Sequence, residues 1–293
     1  MSDELPFTGE RFTPECVREI WYEHWHRYAF ARRLAAGRRV LDAACGEGYG
    51  SAMLSAVATD VVGVDVDDAA VQHARSRYAA LPRLRYERAD ATELPFPDGS
   101  FDLVVSFETL EHLAAQERLL QGFARVLADD GLLVISSPDK RTYSELAGFR
   151  NEFHVRELYR EELLDLLSPH FPAVRLYGQK LLFQSALWSL DAAPVTSEAL
   201  TARQDGSAVH AGLAYAPLYF IAVCAKRALP AGLPDLSLFG DDQESVYAHY
   251  NHEIRKNIGA GGRIAELEAE VERLRARSEP APTRDWRWWR RNR

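Results

Sequence analysis

The stretch Val40-Leu-Asp-Ala-Ala-Cys-Gly-Glu-Gly-Tyr-Gly50 decides how the rest of the chain is read. An apolar run ends at Asp42, and a turn holding Gly46, Gly48 and Gly50 opens a helix-forming segment. Glycine admits positive φ and lets a ligand lie against bare backbone, so this pattern is a candidate ligand cradle. Alone it also describes an ordinary tight strand-to-helix turn. Two features bear on the choice. The dinucleotide fingerprint asks for G-x-G-x-x-G/A; here the third position is Ser51, and Glu47 would sit badly against a pyrophosphate. The next apolar run, Val61-Val-Gly-Val-Asp65, ends on an acid 23 residues after Asp42, which suits hydrogen bonding to a ribose diol.

Outward from this turn, short β-rich runs alternate with helical stretches. Strands are expected at Arg39–Ala43, Asp60–Asp65, Leu84–Arg88, Phe101–Ser106 and Leu132–Ser136, and helices at Tyr49–Val57, Asp68–Ala80 and Ala115–Ala128. Several strands lack polar alternation, as parallel strands covered on both faces do. The rhythm implies a doubly wound α/β sheet. A helix from Pro14 to Ala36 precedes it, stopped by Gly37. Strands near Ala173–Tyr177 and Leu218–Ala225 follow it, flanking an aperiodic interval 178–216 that is expected to be a substrate lid or a partly helical insertion. The expected organisation is a lid and helix at 1–37, a core domain at 38–228, a linker at 229–262 with a flexible joint at Gly259–Gly262, and a short helix with a basic tail at 263–293.

Composition narrows the function classes. Of 293 residues, 47 % are hydrophobic and 27 % charged, with a net charge of −8, so the chain is globular and lacks the basic footprint of a general nucleic-acid binder. Three cysteines (Cys16, Cys45, Cys224) with no CxxC pair fit neither a disulfide framework nor a zinc ribbon, and a reducing cytoplasmic setting is expected. The acidic N-terminus has no hydrophobic signal core, and no apolar run approaches bilayer-spanning length.

Taken in order, VLDAACGEGYG, GVDVDD, Arg88-Ala-Asp90 and SFDLVVSFETLEHL resemble the successive motifs of class I S-adenosylmethionine-dependent methyltransferases over roughly residues 35–178. The resemblance implies a Rossmann-like sheet of seven strands with the last antiparallel, and S-adenosylmethionine as cofactor. It places Asp42, Ala44, Gly46, Gly48 and Phe107 around the cofactor. The Gly46–Gly50 turn would hold the methionyl part, Asp65 the ribose hydroxyls and Asp90 the adenine amine, with Val66 and Ala91 lining the ring. Ala44 departs from the family's usual glycine but stays small. Asp90 has a second reading, as the cap of a turn at Thr92.

After the fourth strand come Glu108-Thr-Leu-Glu111-His112, and beyond the fifth Asn151-Glu-Phe-His154. Spacings of three and four would let one helical turn aim Glu108, Glu111 and His112 at one point. Two carboxylates and two imidazoles (Glu108, Glu111, His112, His154) suit a hard divalent cation such as Mg²⁺ or Mn²⁺. The E-x-x-E-H pattern with a distant His is similar to the magnesium site of small-RNA 2′-O-methyltransferases and of ubiquinone-pathway O-methyltransferases. In the competing reading no metal binds, His112 packs or binds substrate, and His154 caps a helix starting near Val155. His112, Glu111 and His154 are the candidate catalytic groups, an imidazole being the alternative general base.

Thr8-Gly-Glu-Arg-Phe12 reads as a lid strip, and Tyr22-Glu-His-Trp-His-Arg-Tyr28 as a helix face. With the motifs above they resemble methyltransferases of bacterial surface-polysaccharide biosynthesis, which implies a glycan or nucleotide-sugar acceptor. Arg27 or Arg11 would pair with the cofactor carboxylate. Trp21, Trp25 and Tyr28 fit a core-facing stripe, leaving His24 and Arg27 as the functional candidates. Rival functions are metal-free methylation of an amine, carbon or phenol, a nicotinamide oxidoreductase, and a non-catalytic scaffold. At the other end Ile264, Leu267, Val271 and Leu274 form an a/d seam of about two heptads, which reads either as a plain amphipathic helix or as a short coiled coil that could pair two chains. The Arg- and Trp-rich segment 284–293 has the composition of a peripheral membrane anchor, the alternative being a disordered end or one that folds back onto the acidic body.

Overall fold

The computed structural model describes residues 12–14, 16, 19–187, 189–190 and 197–278. The chain forms two compact units, Met1–Phe239 and Gly240–Arg293. The expected lid strip up to Arg11 and the basic tail from 279 onward lie outside the described residues.

In the first unit, helix α1 (Glu19–Ala35) ends where Gly37 turns at φ 70°. Strand β1 (Arg39–Ala43), helix α2 (Tyr49–Ser55), strand β2 (Asp60–Asp65), helix α3 (Asp68–Arg77) and strand β3 (Leu84–Arg88) follow. Then come β4 (Phe101–Ser106), α4 (Gln116–Val126), β5 (Leu127–Pro138), α5 (Arg160–Leu167) and β6 (Ala173–Gln179). A ribbon of β7 (Leu200–Ala202) and β8 (Val209–Ala211) precedes β9 (Tyr219–Ala225).

The main sheet has the order β3-β2-β1-β4-β5-β9-β6. Its last strand in the chain, β9, runs antiparallel to both neighbours, whereas β1 to β5 pair in parallel. The order reverses between β1 and β4, and a ligand crevice of such sheets opens beyond the carboxyl ends of the strands at that point. Successive residues of a strand serve opposite faces: Leu41, Val104 and Leu133 join Phe123 and Phe171 in one core, while Val40, Leu103 and Val134 join Tyr28 and Leu54 in the other. Both cores are apolar, which is why these strands read without alternation. Fully buried Phe123 anchors α4; its truncation to Ala would cost about 3–5 kcal/mol.

Three expectations are corrected. The described part of 178–216 contains no helix but the β7–β8 ribbon, because Asp205-Gly206 makes the turn: Gly206 sits at φ 71° and Asp205 Oδ1 accepts the Ser207 N–H at 2.9 Å. The helix after His154 starts at Arg160, where Glu162 Oε2 accepts the Tyr159 N–H at 2.9 Å, so His154 lies in a turn and caps nothing. The joint at Gly259–Gly262 is helical: α6 (Ser245–Ser278) runs unbroken for 34 residues. Each glycine costs about 1 kcal/mol against alanine. Strong helix formers and the i,i+3 pairs Lys256–Glu253, Arg263–Glu266, Arg273–Glu270 and Arg275–Glu272 oppose that cost. Among the described residues, no helix is long and apolar enough to cross a membrane.

Candidate active site

The glycine turn is held by its surroundings on every side. Tyr86 donates its hydroxyl to the Gly48 carbonyl at 2.7 Å, and a Cβ on Gly48, at φ 95°, would lie 2.7 Å from that same hydroxyl oxygen. A Cβ on Gly50 would fall 2.0 Å from the Tyr28 ring. Ala44, where the family's usual glycine is replaced, takes the left-handed conformation at φ 61°. A non-glycine residue stores about 1–2 kcal/mol there.

Asp65 ties this turn to the end of β2: its Oδ2 accepts the Gly46 N–H at 2.9 Å and its Oδ1 the Asp67 N–H at 2.9 Å. At the end of β3, Asp90 Oδ1 accepts both the N–H and the hydroxyl of Thr92 at 2.8 Å, so the turn-capping reading holds for that oxygen. Val66, next to Asp65 in the chain, is a large apolar side chain 62 % exposed, and Ala91, next to Asp90, is half-buried.

Asp42 is corrected from a cofactor contact to an anchor of the loop. It is fully enclosed; Ser51 donates to it at 2.6 Å and Tyr28 at 3.1 Å, and burial pushes its carboxyl up to about 6. Phe107 is buried too, edge-on to Tyr28 with ring centroids 5.0 Å apart. Glu47 turns inward, where His73 at 3.0 Å, Arg77 at 3.3 Å and Tyr78 at 2.9 Å hold it. Its charge is thereby withdrawn from the ligand side of the turn.

The acceptor edge differs from expectation. Glu108 adopts φ 49° and precedes a 3-10 turn at Leu110–His112, so the three residues do not share one helical turn. Its Oε1 accepts from Ser136 at 2.6 Å and lies 3.5 Å from Arg27 Nη1, away from the predicted metal cluster. Glu111, His112 and His154 do converge, with ligand atoms within 4.8 Å of one another. Glu111 is fully buried and neither carboxylate oxygen has a hydrogen-bond partner. Burial first, then the charge of Glu108, raises its pKa well above the usual range. His112 Nδ1 donates to the Phe153 carbonyl at 3.1 Å, which leaves Nε2 on the side of Glu111, 4.0 Å from Oε1. His154 is engaged at both nitrogens, by Glu157 at 2.6 Å and by Asn151 at 3.0 Å.

Arg27 is 2 % exposed, lies over the Tyr219 ring at 4.4 Å, and donates from Nε to Gln179 at 2.8 Å. Its Nη1 and Nη2 are buried without a hydrogen-bond acceptor. Beside it, burial pushes Glu23 up to about 7, Arg27 opposing and Glu108 adding to the rise. Both Glu23 and Arg27 line a cavity of about 560 Å³ with Gln179, Lys180 and Tyr215. A second cavity of about 430 Å³ shares Glu23 and Lys180 and reaches Tyr219. Tyr143 faces Tyr219 at 5.8 Å and stacks on His154 at 5.3 Å, joining the arginine cluster to the imidazoles.

His24 is not a free functional imidazole. It stacks on Phe12 at 4.3 Å, its Nδ1 meets the Tyr49 hydroxyl at 3.4 Å, and burial lowers its pKa. Trp21 and Trp25 pack on the core as the stripe implied. Sequence reasoning missed Tyr28, Ser51, Glu23, Gln179 and Tyr219. Gln179 and Tyr219 lie opposite one another at the ends of β6 and β9, a register that only the folded sheet reveals.

Residues 41–135 match the family model described as "Methyltransferase domain". The chain is 44 % identical over 167 residues to a "Probable S-adenosylmethionine-dependent methyltransferase" of Mycobacterium tuberculosis (strain ATCC 25618 / H37Rv), covering 56 % of this chain and 60 % of that protein. It is 40 % identical over 107 residues to the "27-O-demethylrifamycin SV methyltransferase" of Amycolatopsis mediterranei (strain S699), covering 35 % and 39 %. The crystal structure of a "putative methyltransferase" from Bacillus halodurans C-125 superposes with a TM-score of 0.50 at 16 % identity, over 68 % of this chain and 98 % of that one, a likeness of fold. The chain thus spans about three-fifths of the mycobacterial relative, its residues 41–135 are similar to a methyltransferase domain, and its seven-stranded sheet has the Rossmann-like fold of such enzymes.

Proposed function

We propose that this chain methylates a hydroxyl oxygen, with a sugar of a surface glycan or its nucleotide-linked precursor as acceptor. When bound, S-adenosylmethionine supplies a methyl group on a sulfonium that an oxygen lone pair can displace in line. The chain's part is to hold donor and acceptor in near-attack geometry. The Gly46–Gly50 turn offers bare backbone, Asp65 and Asp90 offer carboxylates at neighbouring strand ends, and Val66 and Ala91 offer apolar surface to a ring. Arg27 presents two buried guanidinium nitrogens outside any hydrogen bond, Nη1 with Glu108 3.5 Å away, a fit for a further carboxylate.

The observation that carries the acceptor half is Glu111, a fully buried carboxylate with no partner on either oxygen, facing two imidazoles. Such a group calls for a proton or a cation. Glu111, His112 and His154 would hold a divalent cation, with His154 exchanging its Asn151 contact for it. A bound cation lowers the pKa of a coordinated oxygen, which a sugar hydroxyl needs at neutral pH. The relative acting on 27-O-demethylrifamycin SV supports oxygen as the methylated atom. The saturation of His154 by Glu157 and Asn151 favours a second reading, metal-free, in which Glu111 is protonated and His112 takes the acceptor proton.

Methyl transfer to a panel of glycans and nucleotide sugars, with Mg²⁺, with EDTA, and with Mg²⁺ restored, tests this. Activity that EDTA abolishes and Mg²⁺ restores supports the cation. Activity indifferent to EDTA selects the metal-free site. Transfer to amines, carbons or phenols and to no sugar overturns the acceptor class.

A further inference from the structure

The methyltransferase reading makes no use of α6, whose C-terminal half carries an exposed apolar seam. Ile264, Leu267, Val271 and Leu274 are 56 %, 48 %, 43 % and 49 % exposed. Their 3-4-3 spacing is that of coiled-coil a and d positions. In this frame the a positions are Asn257, Ile264 and Val271, and the d positions are Ala260, Leu267 and Leu274. β-Branched residues at a with leucine at d favour two parallel strands, and a single asparagine at a fixes their register.

The flanking charges identify the partner. The g positions hold Arg263 and Glu270, the e positions Glu268 and Arg275. In a parallel in-register pair, g faces the e position five residues on in the other helix. Arg263 then meets Glu268 of the second copy, and Glu270 meets Arg275, so all four contacts of the two copies are attractive. In the antiparallel register centred on Glu270, that residue faces its own copy and Arg263 faces Arg277. We infer that residues 257–278 dock onto the same segment of a second copy of this chain as a parallel, in-register two-stranded coiled coil.

Ile254 and Ile258, although 55 % and 71 % exposed, fall at e and b in this frame and stay outside the seam. Within one chain Arg263, Glu270 and Arg275 pair with Glu266, Arg273 and Glu272 on the helix surface. Those exposed pairs are weak and re-form across the seam at little cost.

Sedimentation equilibrium of the full chain tests this. The expected mass is twice 33.0 kDa, falling to the monomer in the double variant Leu267→Glu/Leu274→Glu and unchanged in Ile258→Glu. Glu270→Arg should weaken the dimer several-fold, and adding Arg275→Glu should restore it. Val271→Cys should form a chain-to-chain disulfide under oxidation that the unaltered chain does not form. A monomer at every concentration overturns the inference, as does a dimer that survives the double variant with its seven-stranded unit folded. A dimer in which Val271→Cys does not cross-link excludes the parallel register and overturns it equally.

Discussion

The two sides of the crevice are built on opposite principles. On the cofactor side, between β1, β2 and β3, the acids meet backbone N–H groups: Asp65 takes those of Gly46 and Asp67, and Asp90 that of Thr92. On the acceptor side, beyond β4, Glu111 is buried with neither carboxylate oxygen in a hydrogen bond. A backbone-satisfied turn is finished before any ligand arrives. A buried polar group without a partner is costly and is completed by a proton or by what enters. On the proposed function, the first side would supply shape and cofactor affinity, and the second chemistry and substrate choice.

That contrast is easiest to break at Glu111. Glu111→Gln keeps the side chain's volume and removes its titratable carboxyl, and should lower turnover by about 10²–10⁴-fold, the usual share of a group that handles a proton. Steady-state methyl transfer checks it; full turnover would return Glu111 to a merely structural role. A smaller loss is expected at Asp65. Asp65→Ala removes charge-assisted hydrogen bonds worth roughly 1.5–3 kcal/mol, so the dissociation constant for S-adenosylmethionine should rise by about 10–150-fold. Unchanged affinity in a folded variant would detach Asp65 from the cofactor.

The acceptor side also carries a pH signature. The folded-state pKa of Glu23, about 7, lies above its ordinary 4.5. Its protonated form therefore contributes stability that is fully present below pH 4.5 and lost as pH rises through about 7. Glu23→Gln should consequently gain on the unaltered protein across that window, by at most about 3 kcal/mol. Denaturant midpoints at pH 5 and pH 8 measure it; a gain that does not grow with pH would mean Glu23 is charged throughout. Smallest of all should be His24→Phe. With the imidazole already stacked on Phe12 and kept neutral by burial, turnover should change less than about threefold, in line with a packing substitution. A large loss would restore His24 to the site.

The sequence made the cofactor side legible because its logic is local. Short apolar or β-favouring runs mark the strands ending at Ala43, Asp65 and Arg88, and four of the five central strands fall where those runs predict. The fifth began earlier than read, at Leu127, because its register against β4 shifts between Phe101 and Leu103. The acceptor side was legible in composition and not in geometry. Helical spacing grouped Glu108 with Glu111 and His112, but a left-handed φ at Glu108 sends it to Ser136 and Arg27 instead. Glu23, Gln179 and Tyr219 come from three separate elements, and no spacing rule joins them. In α6 the glycines at 259, 261 and 262 suggested a break, whereas helix formers on both sides carried the helix through.

Calorimetric titration of S-adenosylmethionine into the unaltered chain, Asp65→Ala and Glu111→Gln tests the division of labour most directly. The account predicts binding to the unaltered chain, binding weakened at least tenfold in Asp65→Ala, and affinity within about twofold of the original in Glu111→Gln. Absence of binding to the unaltered chain, or a Glu111→Gln variant that loses affinity while Asp65→Ala keeps it, would contradict the account.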